Sequence, residues 1–263
     1  MDIIDLSDEY EGTYCNCLED WSEEMREAGD YKRRWLARKK GEGLRVKLAR
    51  DEAERIVGMI QYAPIEAAPA VGRDLYYVYC IWVHAYKQGV GDHRKRGIGT
   101  ALLEAAEADA KARGAKGLAA WGITLPFFMR SRWFKKHGYR RADKEGMVEL
   151  VWKPFTQDAA APALLRAKKR PEPREDAVTV TCFRDGWCPA RNLAVERMKR
   201  AAAAHAGNVN LMEIDTEDRT NRNEWGISDA IYLDGKELGF GPPPSYAWFN
   251  KRLVAAVKRR AAR

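Results

Sequence analysis

The stretch that most constrains this chain is Arg94-Lys-Arg-Gly-Ile-Gly99, followed by Thr100-Ala-Leu-Leu103. It lies between an aromatic and β-branched run, Leu75 to Val83, and an alanine-rich run with helical apolar spacing, Thr100 to Arg113. A strand, a glycine turn and a helix are thus written in succession. Gly97 and Gly99 let backbone N–H groups turn inward with no Cβ in the way. The new helix aims its unpaired N–H groups and the positive end of its dipole at the same place. Together these make an anion site of the kind that holds phosphate. Taken alone, the turn fits a plain helix start equally well. A P-loop needs Gly-x-x-x-x-Gly-Lys-Ser/Thr, and no such lysine and hydroxyl follow. A dinucleotide fold needs Gly-x-Gly-x-x-Gly, but Gly97-Ile-Gly99 runs on to Leu102 with no third glycine.

Around this turn the chain alternates strand and helix patterns. Residues 1–41 read as an acidic, partly helical extension carrying Cys15-Asn-Cys17. Leu44 to Leu48 and Arg55 to Ala63 read as strands, the second ended by Pro64. Leu75 to Val83 is apolar throughout, as expected of a central strand covered on both faces. The helix from Thr100 buries Leu102, Leu103, Ala106 and Ala110, with Gly114 as its cap. Lys116 to Trp121 is a strand, Phe127 to His137 a helix, and Met147 to Trp152 a closing strand. Residues 158–176, rich in Ala, Pro and charge, read as a linker. From 177 to 263 a second unit repeats the alternation: a β run at Val178 to Cys182, a helix to about His205, and a strand at Val209 to Ile214 in parallel-crossover spacing. A hairpin through Asp234-Gly235 and a basic helix from Ala247 complete it.

In this order the segments from 42 to 157 resemble the GNAT N-acetyltransferase superfamily. Ile56-Val-Gly-Met-Ile-Gln-Tyr62 is similar to the third strand of that fold and Leu75 to Val83 to the fourth. Arg94-x-x-Gly97-x-Gly99 resembles its acyl-CoA pyrophosphate loop, and Trp133-Phe-Lys-Lys-His-Gly-Tyr139 its late helix with a closing aromatic-x-x-x-Gly-Phe signature. The resemblance implies an α/β fold with a mixed central sheet whose fourth and fifth strands splay apart. It implies acetyl-CoA as cofactor, with Arg94, Lys95, Arg96, Gly97, Ile98, Gly99 and Thr100 at the pyrophosphate and the backbone near Trp82 and Val83 at the pantetheine arm and acetyl group. The implied reaction is direct attack by a small-molecule or peptide amine, helped by positioning and by N–H groups aimed at the developing negative charge. The family's usual acid is a tyrosine four residues before the helix-ending glycine; Phe134 stands there and has no proton to give. As general bases, His84 follows the central strand and has a suitable titration range, and Glu66 follows the preceding strand. Each reads equally as an ordinary surface residue.

The second unit, after the linker, is similar to a smaller thioredoxin-like α/β domain. Trp187-Cys188-Pro189-Ala-Arg191 resembles a Trp-Cys-x-x-Cys redox motif in which Arg191 replaces the second cysteine, and Gly226-Ile-Ser-Asp-Ala230 lacks the proline of that family. The combined layout resembles GNAT proteins with a YoaP-type C-terminal domain. Cys188, Cys182, Cys15 and Cys17 are candidate reactive thiols. Cys-x-Cys is tight for structural zinc but open to a soft ion, so no metal site is assigned. This leaves an alternative to the enzyme: an acyl-CoA-binding sensor of thiols, soft metals or oxidants with little turnover.

The chain has 263 residues and a net charge of +8. That charge suits the phosphates of CoA as well as it suits nucleic acid, and the basic residues are scattered over helices and not interleaved with exposed aromatics, which disfavours nucleic acid. Five cysteines in this length are no disulfide scaffold. No signal peptide or membrane span is legible, so a cytoplasmic protein with reduced thiols is expected. The oligomeric state stays open, a homodimer included.

Overall fold

The computed structural model describes residues 1–126, 128–239 and 241–262. Its elements run β1 (Asp2–Asp5), α1 (Glu11–Cys15), α2 (Glu23–Arg26), α3 (Tyr31–Lys40), β2 (Arg45–Arg50), β3 (Ile56–Pro64), β4 (Ala70–Val71) and β5 (Tyr76–Val83). Then follow α4 (Ile98–Ala112), β6 (Gly117–Ile123), α5 (Ser131–Lys136), β7 (Arg140–Glu145), β8 (Val148–Pro154) and β9 (Ala163–Leu164). The chain continues with β10 (Val178–Arg184), α6 (Pro189–Ala203), β11 (Val209–Asp215), α7 (Arg219–Trp225), β12 (Ala230–Leu233), β13 (Lys236–Glu237) and α8 (Tyr246–Ala261). Two compact units result: residues 1–21 with 36–165, and residues 22–35 with 166–263.

The first unit is built on a seven-stranded sheet in the order β1-β2-β3-β5-β6-β8-β7. Only β5 and β6 run parallel among its paired strands. β3 is buried over eight of its nine residues, as a strand covered on both faces must be. α4 lies on one face. Ile98, Leu102, Leu103 and Ala106 recur at helical spacing and join Val57, Ile60, Val78 and Val151 in one core. Full burial of a leucine side chain such as Leu102 contributes about 1.5–3 kcal/mol. Gly58 permits the close approach: a Cβ there would stand 3.0 Å from Ile98 and 3.1 Å from Leu102.

Four features differ from the sequence expectation. Residues 1–41 are no separate extension, because β1 pairs antiparallel with β2 from Asp2↔Arg50 to Asp5↔Lys47 and is a strand of the main sheet. The charged segment Arg140–Glu145 is a strand, paired with β8 at the opposite edge. The helix expected over 127–137 shrinks to Ser131–Lys136: Met129 has φ of 49°, which no right-handed helix can contain, and Phe127 lies outside the described residues. The expected linker is pinned in two places. Ala163–Leu164 pairs with β4 in the first unit, and in the second unit the Lys168 N–H donates to the Trp225 carbonyl at 2.8 Å.

The second unit carries a four-stranded sheet, β11-β10-β12-β13, with β10 parallel to β11 and antiparallel to β12. Alternation along β10 sends Val178, Val180 and Cys182 to a core with α6 and α8, and Phe183 to a second cluster with Ile214, Ile227 and Tyr232. The hairpin turn forms as expected, with Asp234 and Gly235 at φ of 45° and 73°. α7 was not legible in the sequence; Asp218 caps it by accepting the Thr220 N–H at 2.7 Å.

Candidate active site

The site arises where β5 and β6 part. Their parallel ladder holds only from Tyr76↔Leu118 to Val78↔Ala120. Beyond it β5 stays with β3 up to Val83 and β6 stays with β8 up to Ile123. A wedge opens, and among the described residues β5 from Ile81 to Val83 pairs with no strand on that side. The Trp121 indole N–H donates to the Tyr79 carbonyl at 2.8 Å and closes the wedge at its base.

The glycine turn stands at the mouth of this wedge. Lys95 and Gly97 both adopt left-handed backbone, with φ of 61° and 79°. Gly97 is the N-cap residue of α4, and no side chain caps the helix there. The first intrahelical bond runs from the Ala101 N–H to the Gly97 carbonyl at 3.0 Å, so the N–H groups of Ile98, Gly99 and Thr100 have no intrahelical acceptor. A Cβ on Gly97 would meet nothing within 4 Å, so open space lies in front of those groups. Gly99 has another role: a Cβ there would come within 3.4 Å of the Trp133 ring. Trp133 stacks on His137 at 4.2 Å. The His137 ring bonds the Trp133 carbonyl through Nδ1 at 2.9 Å and the Thr100 hydroxyl through Nε2 at 3.0 Å. One small network thereby fixes the first turn of α4 against α5.

These elements enclose a cleft of about 760 Å³, lined among others by Trp82, Val83, Lys95, Gly97, Phe128 and Trp133. Sequence reasoning placed Trp82, Val83, Arg94, Lys95, Gly97, Ile98, Gly99 and Thr100 at the site, and all of them line it. Arg96 is exposed and outside the lining. Arg94 lines it with its charge engaged: the guanidinium bonds both Asp92 oxygens, Nε at 2.9 Å and Nη2 at 2.6 Å. That pair holds the Asp92 carboxyl well below its usual range and shapes the loop. Sequence reasoning missed Phe128, Arg130 and His93, whose places in the lining depend on loop geometry that residue patterning does not carry.

Neither expected base is set up for the role. His84 is fully buried; its Nδ1 bonds the Gly91 carbonyl at 2.7 Å and its Nε2 accepts the Trp21 indole N–H at 3.2 Å. With a carbonyl on one nitrogen and an N–H donor on the other, the ring holds the 85–91 loop in place and has no free lone pair. Glu66 lies past the end of β3 that pairs with the start of β5, away from the cleft, and accepts the Asp74 N–H at 2.9 Å. His93 does line the cleft. Its Nε2–H donates to the Val90 carbonyl at 2.9 Å, which leaves the Nδ1 lone pair. Phe134 is fully buried against Trp133 and Tyr139. Burial pushes the Tyr139 phenol well above its usual range, with the Glu107 carboxylate adding to the effect.

The candidate thiols differ in character. Cys182 is buried in β10 and burial pushes its thiol up to about 12, so it is inert at neutral pH. Cys188 is half-buried at the N-cap of α6, with Pro189 opening the helix. Nearby, burial raises the Asp229 carboxyl in spite of the opposing charge of Arg191. In the first unit, Cys15, Cys17 and Cys80 all lie close enough to Tyr14 to act on its phenol, which burial already raises. The Tyr14 hydroxyl donates to Gln61 Oε1 at 2.5 Å. None of the five cysteines is in a disulfide. Among the described residues no group of three or more His, Cys, Asp or Glu side chains is placed to hold a metal ion, and no helix is long and apolar enough to cross a membrane.

Comparison with known proteins follows this division of the chain. The acetyltransferase (GNAT) family model matches residues 3–139, whereas no curated protein sequence matches the chain. Among solved structures, the PaiA N-acetyltransferase of Thermoplasma acidophilum in complex with coenzyme A is 17% identical, with 59% of this chain and 100% of that one covered and a TM-score of 0.41. A GNAT family acetyltransferase of Brucella melitensis in complex with acetyl-CoA is 15% identical, with 62% and 94% covered and a TM-score of 0.39. A GNAT family N-acetyltransferase of Escherichia coli in complex with CoA is 13% identical over 60% and 82%, with a TM-score of 0.42. The family match takes in more than half of the chain, from β1 to the end of α5, with the whole glycine turn inside it: the chain belongs to the GNAT acetyltransferase family.

Proposed function

We propose that the first unit transfers an acetyl group from acetyl-CoA to an amine. The observation that carries this reading is the uncapped amino end of α4, opening onto the wedge between β5 and β6. Its residues fit a CoA pyrophosphate. The N–H groups of Ile98, Gly99 and Thr100 are the donors, each such bond to a charged oxygen contributing about 1.5–3 kcal/mol. Lys95 and Arg130 add positive charge at the lining, and Arg94 holds the loop in shape through Asp92.

The bound donor supplies a thioester carbonyl; a C–N bond to the amine replaces the C–S bond, and the proton lost by nitrogen balances the thiolate released. The chain's part is to hold the reactants in the wedge and keep water out. Main-chain groups on the open edge of β5, at Ile81 to Val83, orient the donor. Among the described lining residues, His93 keeps an uncommitted Nδ1 lone pair and is the candidate proton acceptor, the Asp92 carboxylate being held by Arg94. Phe134 is no obstacle, because a thiolate with an ordinary pKa of about 8.5 departs without an acid.

The second unit is read as thioredoxin-like. The order strand-helix-strand-helix-strand-strand-helix, with β10 inside the sheet, supports this, as does Cys188 at the amino end of the helix that follows the first strand. Arg191 in place of a second cysteine and Asp229 directly before β12 speak against dithiol exchange in this reading.

The test is calorimetric titration of the reduced protein with acetyl-CoA, followed by release of free CoA thiol against a panel of amines. Binding with amine-dependent release is expected. Absence of binding would remove the assignment of the glycine turn, and binding without release would remove the transferase reading.

A further inference from the structure

The two faces of the wedge are built from different materials. Along the end of β5, Ile81 and Val83 pack into the core beneath α4. Trp82 alternates to the opposite face. There its ring meets Phe128 at 5.8 Å and Tyr86 at 6.1 Å, inclined by 59° and 51°. Phe128 in turn meets Trp121 at 6.1 Å, and Tyr86 meets Trp21 at 5.5 Å, both edge to face. Five aromatic rings thus run continuously from the base of the wedge to its rim.

Three properties of this cluster point to a guest. First, large apolar side chains are left in water at its rim: Phe128 is 37% exposed, Trp21 38% and Tyr86 41%. Of these Phe128 lines the cleft, and Tyr86 and Trp21 continue the patch beyond it through Trp82; exposed apolar surface gathered in one patch marks a binding site more often than single exposed residues do. Second, the indoles are unequal. The Trp121 N–H is spent on the Tyr79 carbonyl and the Trp21 N–H on His84, whereas the buried Trp82 N–H has no acceptor. A buried donor without a partner costs about 1–3 kcal/mol, so the protein's own packing leaves this indole incompletely satisfied. Third, the charge is of one sign. Asp92 is the only carboxylate among the described lining residues and is neutralised by Arg94, while Arg94, Lys95 and Arg130 bring positive charge.

We infer that the acceptor is a monoamine with a flat aromatic ring on its carbon skeleton, an arylalkylamine, whose ring packs among Trp82, Tyr86 and Phe128. The inference rests on the transferase reading above and names its substrate class. An aromatic guest continues the edge-to-face packing already present, which an aliphatic chain of equal length cannot do. Aromatic faces also attract a single ammonium as it arrives. A polyamine or aminosugar needs carboxylates to receive its several charges, and this lining offers only cations beside one neutralised acid.

The experiment separates binding from chemistry. Calorimetry on the full chain without donor would compare 2-phenylethylamine, hexylamine and spermidine. The phenyl compound is expected to bind at least tenfold more tightly than the other two. Phe128→Leu, which keeps an apolar side chain and removes the ring, and Tyr86→Leu at the rim should each weaken 2-phenylethylamine at least fivefold and leave hexylamine unchanged, and Tyr86→Leu, outside the cleft lining, should also leave acetyl-CoA unchanged. Equal affinity for the phenyl and hexyl amines, tighter binding of spermidine, or an unchanged preference in both variants would overturn the inference. Thiol release with acetyl-CoA and saturating 2-phenylethylamine then reads the transferase step: selective binding without release would fell that step and leave the aromatic subsite standing.

Discussion

The glycine turn and the aromatic cluster are built by different means. At the mouth of the cleft the groups on offer belong to the main chain: uncapped N–H groups of α4, left-handed Lys95 and Gly97, and a loop locked by Asp92 and Arg94. On the opposite face of β5 they are side chains from four separate stretches, at Trp21, Trp82–Tyr86, Trp121 and Phe128. A main-chain site is written in consecutive residues and tolerates few substitutions. A side-chain site is assembled from distant residues and can change its guest by changing one ring. In the proposed reading the donor end is therefore set by the family's fold, and the acceptor end is where members can diverge.

That contrast can be broken most severely at Gly97. Gly97→Val adds a side chain in front of the α4 N–H groups at a φ of 79°, so affinity for acetyl-CoA should fall at least a hundredfold by calorimetry. The added Cβ meets no protein atom within 4 Å, so the loss of stability should stay within the roughly 1–2 kcal/mol of left-handed strain. Gly58→Val breaks the same end through packing. With its Cβ at 3.0 Å from Ile98, urea unfolding should show a loss of about 1–3 kcal/mol from overpacking, accompanied by weaker cofactor binding as α4 shifts.

His84→Gln sharpens the comparison from the other side. It should cost about 1–3 kcal/mol of stability, by thermal or urea unfolding, because buried partners at Gly91 and Trp21 lose their bonds. The pH dependence of kcat/KM should keep its shape. Loss of the acidic limb, where an essential base is protonated and activity falls, would return His84 to the role of base. The smallest effect is expected for Phe134→Tyr. Steady-state kinetics should show kcat within threefold of the parent, since the thiolate leaves unaided; a tenfold gain would show that the missing acid limits turnover.

The legibility of the sequence follows the same line. β5 and α4 were readable because an apolar run and helical spacing are local properties, and the structure gives Tyr76–Val83 and Ile98–Ala112. β1 and β7 escaped because both are edge strands, Asp-Ile-Ile-Asp and Arg-Arg-Ala-Asp-Lys-Glu, and edges carry charges that hide the strand pattern. The glycine turn was readable as an anion site since its chemistry belongs to the backbone. His84 was misjudged because its partner Trp21 lies 63 residues away, and no spacing rule connects the two. The aromatic cluster was invisible for the same reason: its members appear one by one in the sequence as core candidates.

β1 has a practical consequence. Asp2 and Asp5 form ion pairs with Arg50, Arg45 and Lys47 of β2, so the acidic opening of the chain is a stitched hem on the sheet. Trimming it would uncover a row of β2 main-chain groups and a neighbouring set of unmatched basic side chains. Shortened versions of the protein should then self-associate through that raw border. For this molecule, a purification tag belongs at the carboxyl end, past α8.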